Sequence, residues 1–269
     1  ANRLTTFNSY ALHEKEVYSW ASTGRQLYED YDYAAGNTKN YTLSLPGIVS
    51  EDSVWLTTVF AARSIGASTY YSVAVNGKTR GNATLASISS DNQYYTRATS
   101  ASISTSWLGT ESENTVVTVT HTRPSGISGR LDYIALNYIR SLTLNAPYLT
   151  FRSLASINKE TTFVLSGATA STVVWDVTDP ANICRMEGSF AGGTYTFTIP
   201  AGKLREFVAI TPEASGFDTV ETVGNIANQN LHSLGATDMI IISPDRKDLM
   251  TQAERLAQAH RERDGLSVL

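Results

Sequence analysis

Short segments of alternating polar and apolar residues, separated by turn residues, recur through the first 215 residues of this chain. Thr194–Ile199 alternates without exception, with its three large apolar residues on one side and its threonines on the other. Because side chains along a strand point to opposite faces in turn, this pattern predicts a strand with one buried face. Asn76-Gly77 follows the alternating segment 70–75 and is typical of a tight β-hairpin, since both central residues need a positive φ. A series of such strands predicts β-sandwiches.

The patterns divide the chain into three parts. We expect residues 1–147 to form a jelly-roll-like β-sandwich and residues 148–215 to form a small immunoglobulin-like β-sandwich. Residues 216–269 are interpreted as a linker followed by the start of an α/β domain. The charge distribution supports this last division, because residues 41–110 hold seven charged side chains whereas residues 236–265 hold eleven. The predicted fold class is therefore mainly β with an α/β segment at the end.

Alternation also selects a core for the first sandwich, because a shift of one residue would move the whole apolar set to the solvent face. Seven side chains are predicted to face inward. They are Trp55, Phe60, Val73, Val117, Val119, Ile134 and Leu136.

One apolar run and one helical pattern predict the α/β segment. Asp238–Ser243 is bounded by Pro244 and has the composition of a strand buried on both faces of a parallel sheet. Thr251 and Glu254 have the spacing of a capping box, which predicts that a helix begins at Thr251. Gly265 is predicted to end that helix in a left-handed conformation.

The predicted helix carries one apolar stripe with helical spacing. Its members are Ala253, Leu256, Ala257 and His260. We expect residues 266–269 to return parallel to residues 239–242, which completes one right-handed βαβ unit. Because one such unit leaves sheet surface uncovered, the sequence is interpreted as cut inside a larger α/β domain.

The composition excludes several classes of protein. A net charge of −4 and a pI of about 5.6 argue against a nucleic-acid-binding surface. The apolar runs are far shorter than the roughly 20 residues of a transmembrane helix. A single cysteine excludes an internal disulfide framework and a thiolate zinc cluster. No glycine-rich phosphate loop follows residues 238–243, so no nucleotide cofactor is predicted.

Cys184 is the one candidate nucleophile of the cysteine type, and it needs a nearby base. The candidate bases are His13, near a disordered-looking chain start, His121 at the end of a strand, His232 in the linker and His260 on the helix stripe. None is tied to Cys184 by a local signature, although such pairs form in space and not in sequence. We expect Cys184 to be a buried, inert residue of a short strand and His260 to be a packed helix residue.

Two further groups of residues have a structural and a functional interpretation. Asp176 and Asp179 supply only two carboxylates, fewer than calcium requires, so they are interpreted as turn caps. Tyr94, Tyr95 and Trp107 lie in weakly charged segments and are candidates for stacking on sugar rings. The sequence thus predicts no catalytic, cofactor-binding or metal-binding residue, and no cofactor.

Five stretches, in one order along the chain, resemble a known protein family. They are Leu131–Arg140, Val174–Pro180, Asn228–His232, Asp238–Pro244 and Gln252–Leu256. The resemblance is to the N-terminal half of the cell-surface sortases of the type IX secretion system, which are gingipain-like cysteine peptidases. It covers residues 131–265, about half of the chain, while residues 1–130 show only a compatible β-pattern.

The resemblance implies β-sandwich modules followed by a caspase-like α/β domain that begins near Asp238. In that family the catalytic His and Cys lie in later strands, beyond residue 269, so no residue here takes their roles and Cys184 lies in a different domain. The chain would be the non-catalytic N-terminal region of a cysteine endopeptidase or transpeptidase. The resemblance implies that this parent would cleave the C-terminal secretion signal from cargo and attach the product to surface lipopolysaccharide.

The implied partners are cargo proteins with C-terminal signals and other outer-membrane secretion components. The implied location is the cell surface, associated with the outer membrane, without a transmembrane segment. A carbohydrate-binding or adhesion β-sandwich is the alternative interpretation, with a glycan as its ligand. The βαβ pattern favours the first interpretation, since an adhesion module has no use for part of an α/β sheet.

Overall fold

The computed structural model describes residues 2–21, 26–50, 52–109, 111–226, 228 and 230–269. The predicted fold class is confirmed, because strands dominate the described residues and one α-helix lies near the end. The chain forms two compact units, Ala1–Phe217 and Asp218–Leu269. Within the first unit, two separate apolar cores define two β-sandwiches.

The first sandwich consists of two four-stranded antiparallel sheets. One sheet contains, in spatial order, β2 (Thr6–Glu14), β9 (Ser128–Ser141), β4 (Ser53–Arg63) and β7 (Thr99–Leu108). The other contains β3 (Thr38–Ser44), β8 (Asn114–Thr122), β5 (Thr69–Val75) and β6 (Lys78–Leu85). Strands β2 and β3 are therefore edge strands.

The predicted hairpin at Asn76-Gly77 is confirmed. Both residues have a positive φ, 46° and 76°, and they connect β5 to β6. These are the angles of a type I′ turn, whose twist matches that of the two strands.

Six of the seven predicted core residues of the first sandwich are fully buried. They are Phe60, Val73, Val117, Val119, Ile134 and Leu136. The prediction for Trp55 is wrong, since its side chain is 39% exposed. Its neighbours Val54 and Leu56 point inward with Phe60, so alternation along β4 places Trp55 on the outer face.

The second sandwich also consists of two four-stranded sheets. One contains β1 (Asn2–Leu4), β11 (Thr161–Ser166), β15 (Thr194–Ile199) and β14 (Gly188–Ala191). The other contains β10 (Tyr148–Arg152), β16 (Glu206–Ile210), β12 (Val173–Asp176) and β13 (Cys184–Arg185). A short 3-10 helix, Leu154–Ser156, follows β10.

Aromatic side chains fill the core of the second sandwich. The Phe163 and Phe197 rings stack at 5.2 Å, and Phe207 packs edge-on against Phe197 at 5.2 Å. Strand β15 faces this core with Phe197 and the other two apolar residues of its alternation, as predicted. Phe7 belongs to the same core, and β1 pairs in parallel with β11. The start of the chain thus completes the second sandwich, while the domain boundaries at residues 147 and 215 stay a prediction.

The second unit contains the α-helix α1 (Lys247–Arg263). The predicted capping box is wrong, because the helix begins four residues before Thr251. The Thr251 hydroxyl donates a hydrogen bond to the Lys247 carbonyl within the helix at 2.8 Å. The predicted end is confirmed, since Gly265 follows the helix with a φ of 69°.

The predicted parallel return is present as a single bridge between Met239 and Val268. The N–H of Leu269 donates to the Met239 carbonyl at 3.0 Å. Of the helix stripe, Ala257 is buried, whereas Leu256 is 49% exposed. A single bridge and a few backbone hydrogen bonds therefore join the two ends of the βαβ element, and the stripe is only partly covered.

Residues 228–232, one of the stretches that carried the family resemblance, precede this βαβ element. A 3-10 helix spans Leu231–Ser233, and Gln229 lies outside the described residues.

Candidate functional site

Cys184 lies on the surface of the second sandwich. The prediction that it is buried is wrong, because its strand β13 has only two residues at the edge of a sheet and both are exposed. Its Sγ lies 3.6 Å from the Asn182 carbonyl oxygen. His13 and His121 belong to the first sandwich and have other partners there, so the structure does not bring either of them to this thiol.

His13 lies within strand β2, not in a disordered segment near the chain start, and it approaches a buried carboxylate. Its Nε2 lies 3.4 Å from Oε1 of Glu29, whose side chain is only 1% exposed. Glu29 also accepts hydrogen bonds from Lys39 Nζ and the Tyr41 hydroxyl, each at 2.7 Å. Burial alone raises the pKa of Glu29, but the bonds from Lys39 and Tyr41 outweigh it and lower the pKa, so the carboxylate stays ionised.

Sequence reasoning missed this cluster. Glu29 lies between β2 and β3, outside any periodic segment, and its partners come from strands that only the fold brings together. Because every described oxygen contact of Glu29 is with a donor of the same sandwich, the cluster fixes the loop to the sheets rather than presenting a free acid.

His121 is buried at the end of β8 and stacks on the Tyr71 ring, with centroids 4.1 Å apart and an interplanar angle of 4°. Burial, assisted by the charge of Arg123, lowers the pKa of His121 to about 4. The imidazole is therefore neutral at physiological pH and serves as an aromatic core residue.

The acidic pair of the second sandwich caps turns, as predicted. Asp176 Oδ1 accepts a hydrogen bond from the Thr178 N–H at 3.0 Å, and Asp179 Oδ1 accepts one from the Ala181 N–H at 3.0 Å. Arg205 pairs with the remaining oxygen of Asp176 at 3.3 Å. These carboxylates thus satisfy backbone and side-chain donors of their own turns.

The three aromatic candidates for sugar stacking differ in accessibility. Tyr94 and Tyr95 are 71% and 87% exposed. Trp107 donates from Nε1 to Glu111 at 2.8 Å, and the Arg80 guanidinium covers its ring at 4.0 Å. Only the two tyrosines present open aromatic surface.

A groove lies where the two sandwiches meet, between edge strands β2 and β10. We call it the junction groove; it has a volume of about 670 Å³ and is lined mainly by residues 7–10 and 148–152. The Phe7 and Phe151 rings pack edge-to-face at 6.1 Å, and Asn8 Oδ1 accepts a hydrogen bond from the Leu154 N–H at 2.8 Å. These contacts hold the two strands at the two sides of the groove.

A second cavity of about 430 Å³, the adjoining slot, continues along β2 between β2 and β3. Ser9, Tyr10 and Arg140 line both cavities. The two cavities together follow β2 from Phe7 to His13. No sequence signal predicts this site, because it exists only where edges of separate sheets meet.

No family model matches the chain, and no curated protein matches it. Among solved structures, the crystal structure of dimeric latent PorU from Porphyromonas gingivalis matches the whole chain with a TM-score of 0.77 and 24% identity. The chain has the fold of part of PorU. The resemblance expected from the sequence is thereby confirmed for the fold.

The match spans 100% of this chain but only 26% of the PorU chain. The chain therefore corresponds to about a quarter of PorU. A tandem CBM22 domain of Paenibacillus barcinonensis Xyn10C matches 64% of this chain and 74% of its own, with 10% identity and a TM-score of 0.24. The structure of PNGF-II matches 79% of this chain and 62% of its own, with 7% identity and a TM-score of 0.30. TM-scores this low support no argument about function.

Among the described residues, no helix has the length and the apolar character needed to cross a membrane.

Proposed function

We propose that this chain is the non-catalytic N-terminal region of a gingipain-like cell-surface cysteine peptidase, a sortase that removes the C-terminal signal of type IX secretion cargo. The observation that carries the proposal is the match of the whole chain to PorU, which includes both sandwiches and the βαβ element. The short sequence stretches that resemble the same family support it independently.

In this proposal the two sandwiches hold the catalytic domain and contact its cargo, while the residues that cleave peptide bonds belong to the parent's caspase-like domain. Neither His13 nor His121 lies beside Cys184, since both pack with other partners in the first sandwich, and this agrees with a non-catalytic role. The cargo proteins, the outer-membrane secretion components and the cell-surface location are parts of the same proposal.

The experiment is a pair of chromosomal variants of the parent gene. One lacks the codons for residues 1–217, and the other carries Cys184→Ser. We expect cargo to keep its C-terminal signal in the deletion strain and to be processed normally in the Cys184→Ser strain, with parent protein levels checked by immunoblot. Normal processing in the deletion strain, or unprocessed cargo in the Cys184→Ser strain, would overturn the proposal.

A carbohydrate-binding or adhesion role is the second candidate, and the exposed pair Tyr94 and Tyr95 supports it. Adjacent aromatic rings in a weakly charged turn are suited to stacking on a sugar ring. Binding of the purified chain to a glycan array, lost in the double variant Tyr94→Ala/Tyr95→Ala and retained in Tyr148→Ala, is the result expected for this role. Equal array signals from both variants would contradict it.

A further inference from the structure

The junction groove exposes the hydrogen-bonding edges of two strands. In the described chain, β2 pairs only with β9, and β10 pairs only with β16. Each strand therefore has one side on which backbone N–H and C=O groups lack a neighbouring strand. Such edges accept an additional strand readily, and proteins use them to bind extended peptides.

Strand β2 is the longer of the two edges, with nine residues. The junction groove and the adjoining slot follow it from Phe7 to His13. At about 3.3 Å per residue, this part of the strand extends over roughly 20 Å, which matches an extended peptide of about seven residues.

Large apolar side chains are exposed along these edges. Tyr10 and Leu12, which point to the same side of β2, are 61% and 50% exposed, and Tyr148 at the start of β10 is 47% exposed. An added strand with apolar side chains would bury this surface, and the removal of apolar area from water would stabilise the complex.

Arg140 supplies a positive charge at the junction groove. It lies on β9 opposite Phe7, and its guanidinium reaches over the Phe7 ring of the next strand outward, at 5.6 Å. None of residues 2–21, 26–50, 52–109 or 111–226 forms an ion pair or a hydrogen bond with its side chain. Arg152, in contrast, is paired at 2.6 Å with Glu206, its neighbour on the adjacent strand of the same sheet.

We propose that the junction groove binds an extended peptide segment of a partner protein, which adds as a strand to β2 and places an Asp or Glu carboxylate on Arg140. The backbone edge supplies affinity without regard to sequence, and Arg140 selects an acidic residue. A sugar ring would use the exposed rings but would leave the row of backbone groups along β2 without partners. The inference does not depend on the proposed function, because it follows from the groove alone.

The experiment selects peptides from a phage-displayed library of random dodecapeptides on the full chain. The selected sequences are then synthesised with a fluorescent label, and their binding is measured by anisotropy. We expect an Asp or Glu flanked by β-branched or aromatic residues, and binding about tenfold weaker or more to Arg140→Gln, as for loss of one charge-assisted hydrogen bond. Arg140→Lys should recover part of the affinity, since it keeps the charge.

Two controls separate this site from others. Arg185→Gln, which removes an exposed cation at the far edge of the sheet that contains β10, should leave the affinity unchanged. In an added strand, only every second backbone N–H points at β2. Methylation of that set of peptide nitrogens should therefore abolish binding, whereas methylation of the alternate set should not, because an N-methylated residue cannot donate to the edge. Hydrogen exchange should slow in segments 6–12 and 148–152 when peptide is bound.

The proposal is overturned if no peptide is enriched, if the enriched peptides lack an acid, or if Arg140→Gln and Arg185→Gln bind them equally. It is also overturned if a soluble oligosaccharide displaces the peptide from the groove. Hydrogen exchange and sedimentation of the chain without peptide test a further possibility. If exchange in segment 6–12 slows as the chain concentration rises and the chain associates, the groove binds a second copy, which would likewise contradict a peptide partner.

Discussion

His121 is the side chain through which we expect pH to act on the first sandwich. Its ring is buried, stacks on Tyr71 and has a pKa lowered by burial to about 4, against 6.5 in the unfolded chain. Between these two values the unfolded chain binds a proton that the folded chain excludes. The contribution of His121 to the unfolding free energy is therefore present above pH 6.5 and is lost as the pH falls towards 4.

The magnitude follows from the difference between the two pKa values. At about 1.4 kcal/mol per pKa unit, His121 accounts for about 3 kcal/mol of unfolding free energy lost by pH 4. About 2 kcal/mol of this loss falls between roughly pH 7 and pH 5. Glu29 and Asp32, whose pKa values are lowered by their hydrogen bonds against the effect of burial, add a loss only below their ordinary values of 4.5 and 3.8.

The variant His121→Phe keeps an aromatic ring against Tyr71 and removes the titrating group. Urea unfolding followed by tryptophan fluorescence measures the free energy, in a Trp175→Phe background that leaves the other three tryptophans, all in the first sandwich, as reporters. We expect the unfolding free energy of the parent to fall by about 2 kcal/mol between roughly pH 7 and pH 5, and that of His121→Phe to change much less.

The control is His232→Phe, which changes an exposed histidine of the second unit. It should retain the pH dependence of the parent. Equal slopes for the parent and His121→Phe over this range would refute the reasoning, because they would show that the buried imidazole takes up its proton without unfolding.

Three further experiments test the packing of the two sandwiches. Gly129→Ala places a methyl group against the Tyr71 hydroxyl, so we expect a loss of roughly 1–3 kcal/mol in urea unfolding; unchanged stability would show that the core yields at that point. Phe60→Ala should cost about 3–5 kcal/mol and Trp55→Ala less than half as much, since the first ring is fully buried and the second lies on the outer face; equal costs would argue against this register. Cys184 should react with a disulfide reagent as fast in the native chain as in urea, because it is exposed, whereas protection in the native chain would contradict its position.

Local sequence patterns determined the strands and most of their orientation. Period-two alternation requires only that one face be apolar, so β15 and the core residues of β8 and β9 could be predicted from neighbouring residues alone. The Asn76-Gly77 turn was predictable for the same reason, since its φ angles depend on those two residues. In β4, where both faces are apolar, the pattern left the inner face open, and the prediction for Trp55 was wrong.

The tertiary structure decided what depends on distant partners. Cys184 is exposed because its strand is a two-residue sheet edge. Glu29, in a loop, is a buried, ionised acid because Lys39 and Tyr41 reach it from strand β3. The junction groove and the position of Arg140 beside it depend on which strands lie at the edges of their sheets. Pairing across sheets is set by contacts between residues far apart in the chain, and no local periodicity carries that information.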